Sequence, residues 1–259
     1  MSKISVIIRN RNESKYLRSV LQALSKQDVF HEVILVDNNS TDESREIARQ
    51  HNAKIISIEK FSYGRGLNLG FAAASGEICV VLSAHSLPLG SSFLSECAKP
   101  FADERVAAAR CVYAGKGADS LRWLTPELLN KSSDFISKGI LASGCVVRRS
   151  VWEQIKFDET LSAAEDKIWT REVLNSGFTV ICSIPAFYLY LKSIPPDDNI
   201  TKNYREIVEV FRQTGQKVGF IKTPSKTIVK DIVYQPLTAA LSSAKSQLLK
   251  LRLKMQFPK

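Results

Sequence analysis

Short β-branched runs alternate with helix-spaced apolar positions through the first half of the chain. Ser5-Val6-Ile7-Ile8 reads as a buried strand, and Tyr16, Leu17, Val20, Leu21 and Leu24 then recur on one face of a helix. Val33 to Val36 is a second strand and Lys54 to Ile58 a third. Between them Ser40 and Glu43 have capping-box spacing, which predicts a helix from near Thr41 through Ile47 and Ala48 toward His51. A glycine-bearing stretch, Gly64 to Gly76, precedes Ile78 to Leu82, a continuous apolar run of the kind found in the middle of a parallel sheet. Repeated βα units predict an α/β domain with a doubly wound sheet.

From Val106 to Val180 the pattern is less regular. It holds Trp123-Leu124-Thr125-Pro126, an apolar stretch from Gly139 to Val147, and Phe157-Asp158-Glu159. Glu165-Asp166 then opens a helical pattern of Ile168, Trp169, Val173 and Leu174, which Gly177 ends. Residues 195–202, with Pro195-Pro196-Asp197-Asp198, read as a linker, and Tyr204 to Val218 and Leu237 to Leu251 read as helices. This predicts a domain over 1–194, divided into halves at about residue 100, and a helical extension over 195–259.

Charge sharpens that division. Residues 1–200 carry 24 basic and 23 acidic side chains, whereas residues 201–259 carry 12 and 3, so +9 of the +10 net charge belongs to the extension. A nucleic-acid enzyme spreads its basic residues over the face that tracks phosphates, so a neutral body with a basic docking segment points to lipid headgroups and away from nucleic acid. Leu237, Leu241, Ala244, Leu248 and Leu251 form one stripe flanked by Lys245 and Arg252, which suits an interfacial helix. A core-docking or dimer-forming helix fits the stripe equally well, and Leu249 to Lys254 also alternates like a strand. With 44% hydrophobic and 24% charged residues the chain is an ordinary globular protein, without the apolar run of roughly 18 residues that a spanning helix needs. Its five widely spaced cysteines lack any CxxC pair, against a disulfide framework or zinc ribbon, and its N-terminus lacks a signal-peptide apolar region. A cytoplasmic protein, peripheral on the inner face of the plasma membrane, is the expectation.

In an open α/β sheet, ligands bind outside the carboxyl ends of the strands, where the winding direction changes. Arg9-Asn10-Arg11-Asn12-Glu13 follows the first strand, Asp37-Asn38-Asn39 the second and Ser83-Ala84-His85-Ser86 the fourth. Three polar loops are thus expected to face one crevice, although Asn, Asp and Ser are also ordinary turn residues.

Taken in order, SVIIRNRNE, VILVDNNSTDES, FSYGRGLNLGFAAASGEICVVLSAHSLP and GCVVRRSVWEQIKFDETLSAAEDKIWTREVLNSGF resemble the nucleotide-sugar glycosyltransferases of family 2, over roughly residues 3 to 191. YGRGLNLG with LSAHSLP is similar to the bacterial, rhamnosyltransferase-like branch of surface polysaccharide synthesis. The resemblance implies a GT-A fold followed here by C-terminal basic helices. It implies that Asp37 accepts the N3–H of uracil or thymine, that Glu13 and the backbone around Arg9 line the nucleotide, and that Arg65 lies near the diphosphate, for which its guanidinium fork is suited. Asp166 matches the general base of an inverting transfer and Glu165 a residue orienting acceptor or base, while an N-cap role fits the same pair.

The chain departs from the family where its DxD motif reads Ser83-Ala84-His85. Ser83 keeps a hydroxyl for the ribose, and His85 stands where the family has a metal ligand. Imidazole suits Mn²⁺ better than Mg²⁺, so the expectation is Mn²⁺ at His85 or else transfer without metal. The histidine that the family tends to place after the next strand is replaced within Ala186-Phe187-Tyr188-Leu189-Tyr190. The implied activity is transfer of a sugar from a UDP- or dTDP-sugar to a hydroxyl of a glycan or lipid-linked acceptor. A nucleotidyltransferase would need a glycine-rich triphosphate loop that RNRNE lacks; a non-catalytic nucleotide-sugar or glycan-binding relative in a membrane complex is the remaining alternative.

Overall fold

The computed structural model describes residues 3–114, 126–192, 206, 208–210 and 212–214. The chain divides into two compact units, residues 1–193 and 194–259. In the second, the described residues are helical and fall within the helix expected over Tyr204 to Val218. Trp123-Leu124-Thr125, the linker at 195–202 and the stripe from Leu237 to Leu251 lie outside the described residues.

The first unit is built on a mixed nine-stranded sheet. β1 (Ile4–Asn10), β2 (His31–Asp37), β3 (Lys54–Ser57) and β4 (Ile78–Ser83) are parallel, in the order β3-β2-β1-β4. Ile7 lies beside Ile34 and Val81, all fully buried, because helices cover both faces; the strands therefore read as continuous rather than alternating apolar runs. From β1 the chain winds outward through α1 (Ser14–Leu24) and α2 (Ser44–Gln50) to β3. It then returns through α3 (Tyr63–Ala73) and places β4 on the other side of β1. The winding direction thus reverses between β1 and β4.

On one face, Leu17, Val20, Leu21 and Leu24 of α1 and Ile47 of α2 share a core with Val6, Ile8 and Val80. On the opposite face α3 lies directly on the sheet: a Cβ on Gly70 would stand 2.3 Å from Ile7 Cγ2 and 3.1 Å from Val36 Cγ2. A glycine inside a helix costs about 1 kcal/mol relative to alanine, and this close packing offsets the cost, which is why the glycine-bearing stretch is helical. The second helix begins at Ser44 rather than near Thr41, because the Ser40 hydroxyl is not its cap. It is 2.5 Å from Asp37 Oδ1, to which it donates.

The parallel winding stops at β4. After β5 (Ser86–Pro88) come α4 (Phe93–Ala98), β6 (Val106–Tyr113), β7 (Leu128–Leu129), α5 (Phe135–Lys138), β8 (Gly144–Arg148), α6 (Arg149–Gln154), α7 (Glu165–Asn175) and β9 (Thr179–Tyr190). β8 lies antiparallel between β4 and β6; β9 is parallel to β6 and carries β5 and β7 antiparallel. Gly144 lets β8 begin against Tyr188, since a Cβ there would be 2.3 Å from the ring. Trp169 of α7 is core: buried, stacked on Phe157, and donating from Nε1 to Ile155 O at 2.7 Å.

Candidate active site

β1 and β2 extend past their apolar runs, so that polar residues form the last rungs of the sheet. Arg9 pairs with Ser83 and Asn10 with Asp37. Asp37 is fully buried. Its Oδ1 accepts from Asn10 Nδ2 at 2.9 Å and from the Ser40 hydroxyl, while Oδ2 accepts from Ser40 N at 3.1 Å and lies 3.6 Å from Arg45 Nε. Ser40 Oγ in turn accepts from Asn10 Nδ2 and from the Asn12 amide. Asn12 and Asn39 hold left-handed backbone, φ 52° and 51°, which asparagine tolerates better than other side-chain-bearing residues. Asn10 Oδ1 is buried without a hydrogen-bond partner, an acceptor facing an unmet demand beside the Asp37 carboxylate. Asn10 was visible in the sequence only as one of five polar residues after the first strand.

Arg9 reaches across to the other half. Its Nη1 is 3.0 Å from Glu165 Oε1, Nη2 donates to Ala142 O at 3.3 Å, and its guanidinium lies 5.4 Å from the Tyr63 ring centre. Glu165 is 6% exposed. Burial, then the neighbouring Asp166 carboxylate, push its carboxyl above the usual value despite the counter-pull of Arg9. Asp166 is half-buried at the start of α7; Oδ2 accepts from the Ala142 amide at 2.9 Å and Oδ1 from the Lys167 amide at 2.8 Å. Ala164, just before the pair, is left-handed at φ 62°, a strained conformation for alanine at the entry to α7.

A second cluster surrounds Glu13, the residue before α1. Its Oε2 is 3.5 Å from His85 Nδ1 and its Oε1 accepts from Lys192 Nζ at 2.7 Å. That bond holds the Lys192 ammonium above its usual range. His85 packs edge-on against Tyr190, ring centres 4.4 Å apart. Ser83 is half-buried at the end of β4, its amide 3.4 Å from Ser143 O, and the Ala84 amide donates to Arg9 O. Nothing in the residues around Lys192 marks it in the sequence; its place follows from where β9 ends.

Arg65 follows Tyr63, the ring beside Arg9. It lies at the start of α3, 3.8 Å from Glu159 Oε2. The two line an open cleft of about 570 Å³, whose walls include Lys60, Phe61, Tyr63 and Ser162. The sheet thus gathers Arg9, Asp37 and Ser83 as neighbouring strand ends, while Arg9 pairs with Glu165, next to Asp166 on α7, and Glu13 faces His85.

A divalent ion is held by several oxygen or imidazole donors. Here Glu13 and His85 offer one carboxylate and one imidazole, and an ammonium already sits on the carboxylate. Among the described residues no group of three or more His, Cys, Asp or Glu side chains could hold a metal. Glu13 and His85 could hold a divalent ion only together with oxygens of a bound diphosphate. All five cysteines are free and buried, and no described helix is long and apolar enough to cross a membrane.

Glycosyl transferase family 2 matches residues 5–155, more than half of the chain. The poly(ribitol-phosphate) β-N-acetylglucosaminyltransferase TarS of Staphylococcus aureus strain Mu50 is 28% identical over 210 residues, 74% of this chain and 36% of that protein. An uncharacterized glycosyltransferase of Nostoc is 40% identical over 89 residues, 32% of this chain and 28% of its own length, so the chain spans about a third of these relatives. Among solved structures, a Pyrobaculum calidifontis mannosyltransferase in complex with GDP-Man and Mn²⁺ superposes with TM-score 0.65 at 18% identity, over 98% of this chain and 81% of that one. Residues 1–349 of S. aureus TarS with UDP-GlcNAc give 0.61 at 18% identity, over 95% and 77%. The fold is GT-A, and the chain belongs to glycosyltransferase family 2.

Proposed function

We propose that the protein is an inverting glycosyltransferase that moves a sugar from a uridine or thymidine diphosphate carrier to a hydroxyl of a glycan or lipid-linked acceptor. One observation carries the reading: Arg9 from the first strand and Glu165-Asp166 from α7 meet at the crevice where the winding reverses. Asp166 is the general base, its orientation fixed by the Ala142 and Lys167 amides. The acceptor oxygen bonds to the anomeric carbon as the bond from that carbon to the diphosphate breaks. The electron pair leaves with the diphosphate and the acceptor proton passes to Asp166. Attack from the face opposite the nucleotide inverts the anomeric centre. Glu165, held by Arg9, orients the base. Asn10 Oδ1 and Asp37 together meet the imide N–H of the nucleobase, and Ser83 meets a ribose hydroxyl.

The name of the TarS relative, and its structure with UDP-GlcNAc, support a uridine carrier and a sugar polymer as acceptor. The basic stretch beyond residue 200 supports docking at an anionic membrane surface, where a lipid-linked acceptor resides. The test is the anomeric configuration of the product formed from an α-linked UDP- or dTDP-sugar, read by proton NMR. A β-linked product is expected; an α-linked one overturns the inverting mechanism, and no product with any pyrimidine donor favours a non-catalytic binding role.

A further inference from the structure

We propose that Lys192 supplies the positive charge that receives the donor's diphosphate as the glycosidic bond breaks, so that this site works without a divalent ion. The inference rests on the transferase reading above and concerns the same crevice. Lys192 is fixed from two sides. The amide of the preceding Leu191 donates to His85 O at 2.8 Å, stitching the end of β9 to the loop after β4, and Lys192 Nζ reaches Glu13, at the end of the loop after β1. It therefore stands over the strand ends between which the winding reverses.

Glu13 gathers two nitrogen groups, taking Lys192 Nζ on one oxygen and facing His85 Nδ1 with the other. An ammonium carries three donors, and Glu13 accepts one, which leaves the others for phosphate oxygens. The Lys192 side chain is 45% exposed, so a ligand can reach it, while Tyr190 and Tyr16 beside His85 make the surroundings less polar and strengthen the attraction. Of the other cations near the strand ends, Arg9 is held by Glu165 at 3.0 Å and Arg65 lies 3.8 Å from Glu159 at the start of α3. An ammonium on Glu13 also makes that carboxylate a poorer ligand for a metal, because its charge is already met. Electron density arriving on the leaving phosphate oxygen meets a charge already in place, a type of contact whose removal typically lowers kcat by about 10²–10³-fold.

The experiment titrates the full chain calorimetrically with UDP and dTDP, and with UMP and dTMP, in chelator and then in Mn²⁺. It uses the unmodified protein, Lys192→Met and Lys192→Arg. We expect a diphosphate preference of at least about tenfold in chelator, little changed by Mn²⁺, which Lys192→Met abolishes and Lys192→Arg largely keeps. Monophosphate affinity should stay the same in all three, which also reports that each variant is folded. A diphosphate preference that survives in Lys192→Met, or that the unmodified protein loses on chelation, overturns the role of Lys192 and leaves the transferase reading standing. Failure of the unmodified protein to bind any of these nucleotides overturns both.

Discussion

Strands β1 to β4 and strands β5 to β9 are two halves of one sheet that meet at one crevice and equip it differently. In the first half, polar groups are the last rungs of parallel strands, and most are already hydrogen-bonded: Asp37 by Asn10 and Ser40, Ser40 by Asn12. In the second half the contributed groups are charged or strained. Glu165 is buried against Asp166, Ala164 is strained before it, and Lys192 projects from a strand end. Preformed, satisfied groups suit recognition of an unchanging nucleotide. Charged and strained groups suit the step in which charge moves. In the proposed reading the first half recognises the nucleoside, while the second half meets the diphosphate and carries out the transfer.

The largest expected effect tests that division directly. Asp166→Asn should lower the transfer rate by roughly 10²–10⁴-fold and leave nucleotide affinity within about twofold, measured by steady-state kinetics beside calorimetry. If affinity falls in parallel, the two halves are not separable. Next in size, Gly70→Ala should destabilise the protein by about 1–3 kcal/mol in urea unfolding, because its Cβ would collide with Ile7 under the nucleotide loops. Asn10→Ala should weaken UDP binding by roughly five- to tenfold, the worth of about one hydrogen bond, and leave turnover at saturating donor unchanged. A fall in turnover would blur the boundary from the other side.

The smallest effect concerns Asp42, which ties α1 to α2 by accepting from the Ser14 and Ser44 amides. Burial raises its carboxyl, but hydrogen bonds from Ser44 and Ser14 prevail and hold it at about 2. A depressed carboxylate adds stability above its unfolded pKa of roughly 4 that is lost as pH falls through about 2. Asp42→Asn should therefore cost about 1 kcal/mol at neutral pH, and the difference should close between pH 4 and pH 2 in acid unfolding. A constant difference would remove the electrostatic explanation.

The two halves also differ in how much the sequence discloses. Strands β1, β2 and β4 are covered by regular crossovers and β3 closes the edge beside β2, so apolar runs locate all four to within a few residues. Two features there escaped. The helix α3 has glycines where it touches Ile7 and Asp158, so tertiary packing overrides a poor intrinsic propensity. Ser40 has the look of a cap and instead holds Asp37, a long-range demand that capping-box spacing cannot express. Beyond β4, β9 pairs with β6 through repeated register shifts and takes two short antiparallel partners, and that irregularity erases periodicity. Arg9, Asp37, Glu165 and Asp166 could be singled out because strand ends and an acidic pair are visible as patterns. Asn10, the Ala142 amide and Lys192 could not, since each matters only for what the fold sets beside it.

The most direct test of the account is calorimetric titration of the unmodified protein with UDP, dTDP and GDP, repeated with Asn10→Ala. The account predicts that UDP or dTDP binds at least about tenfold more tightly than GDP, and that Asn10→Ala narrows the gap by weakening the pyrimidine nucleotide alone. Equal binding of GDP, or no binding of any of the three, would contradict a pyrimidine nucleotide site at the carboxyl ends of β1 and β2.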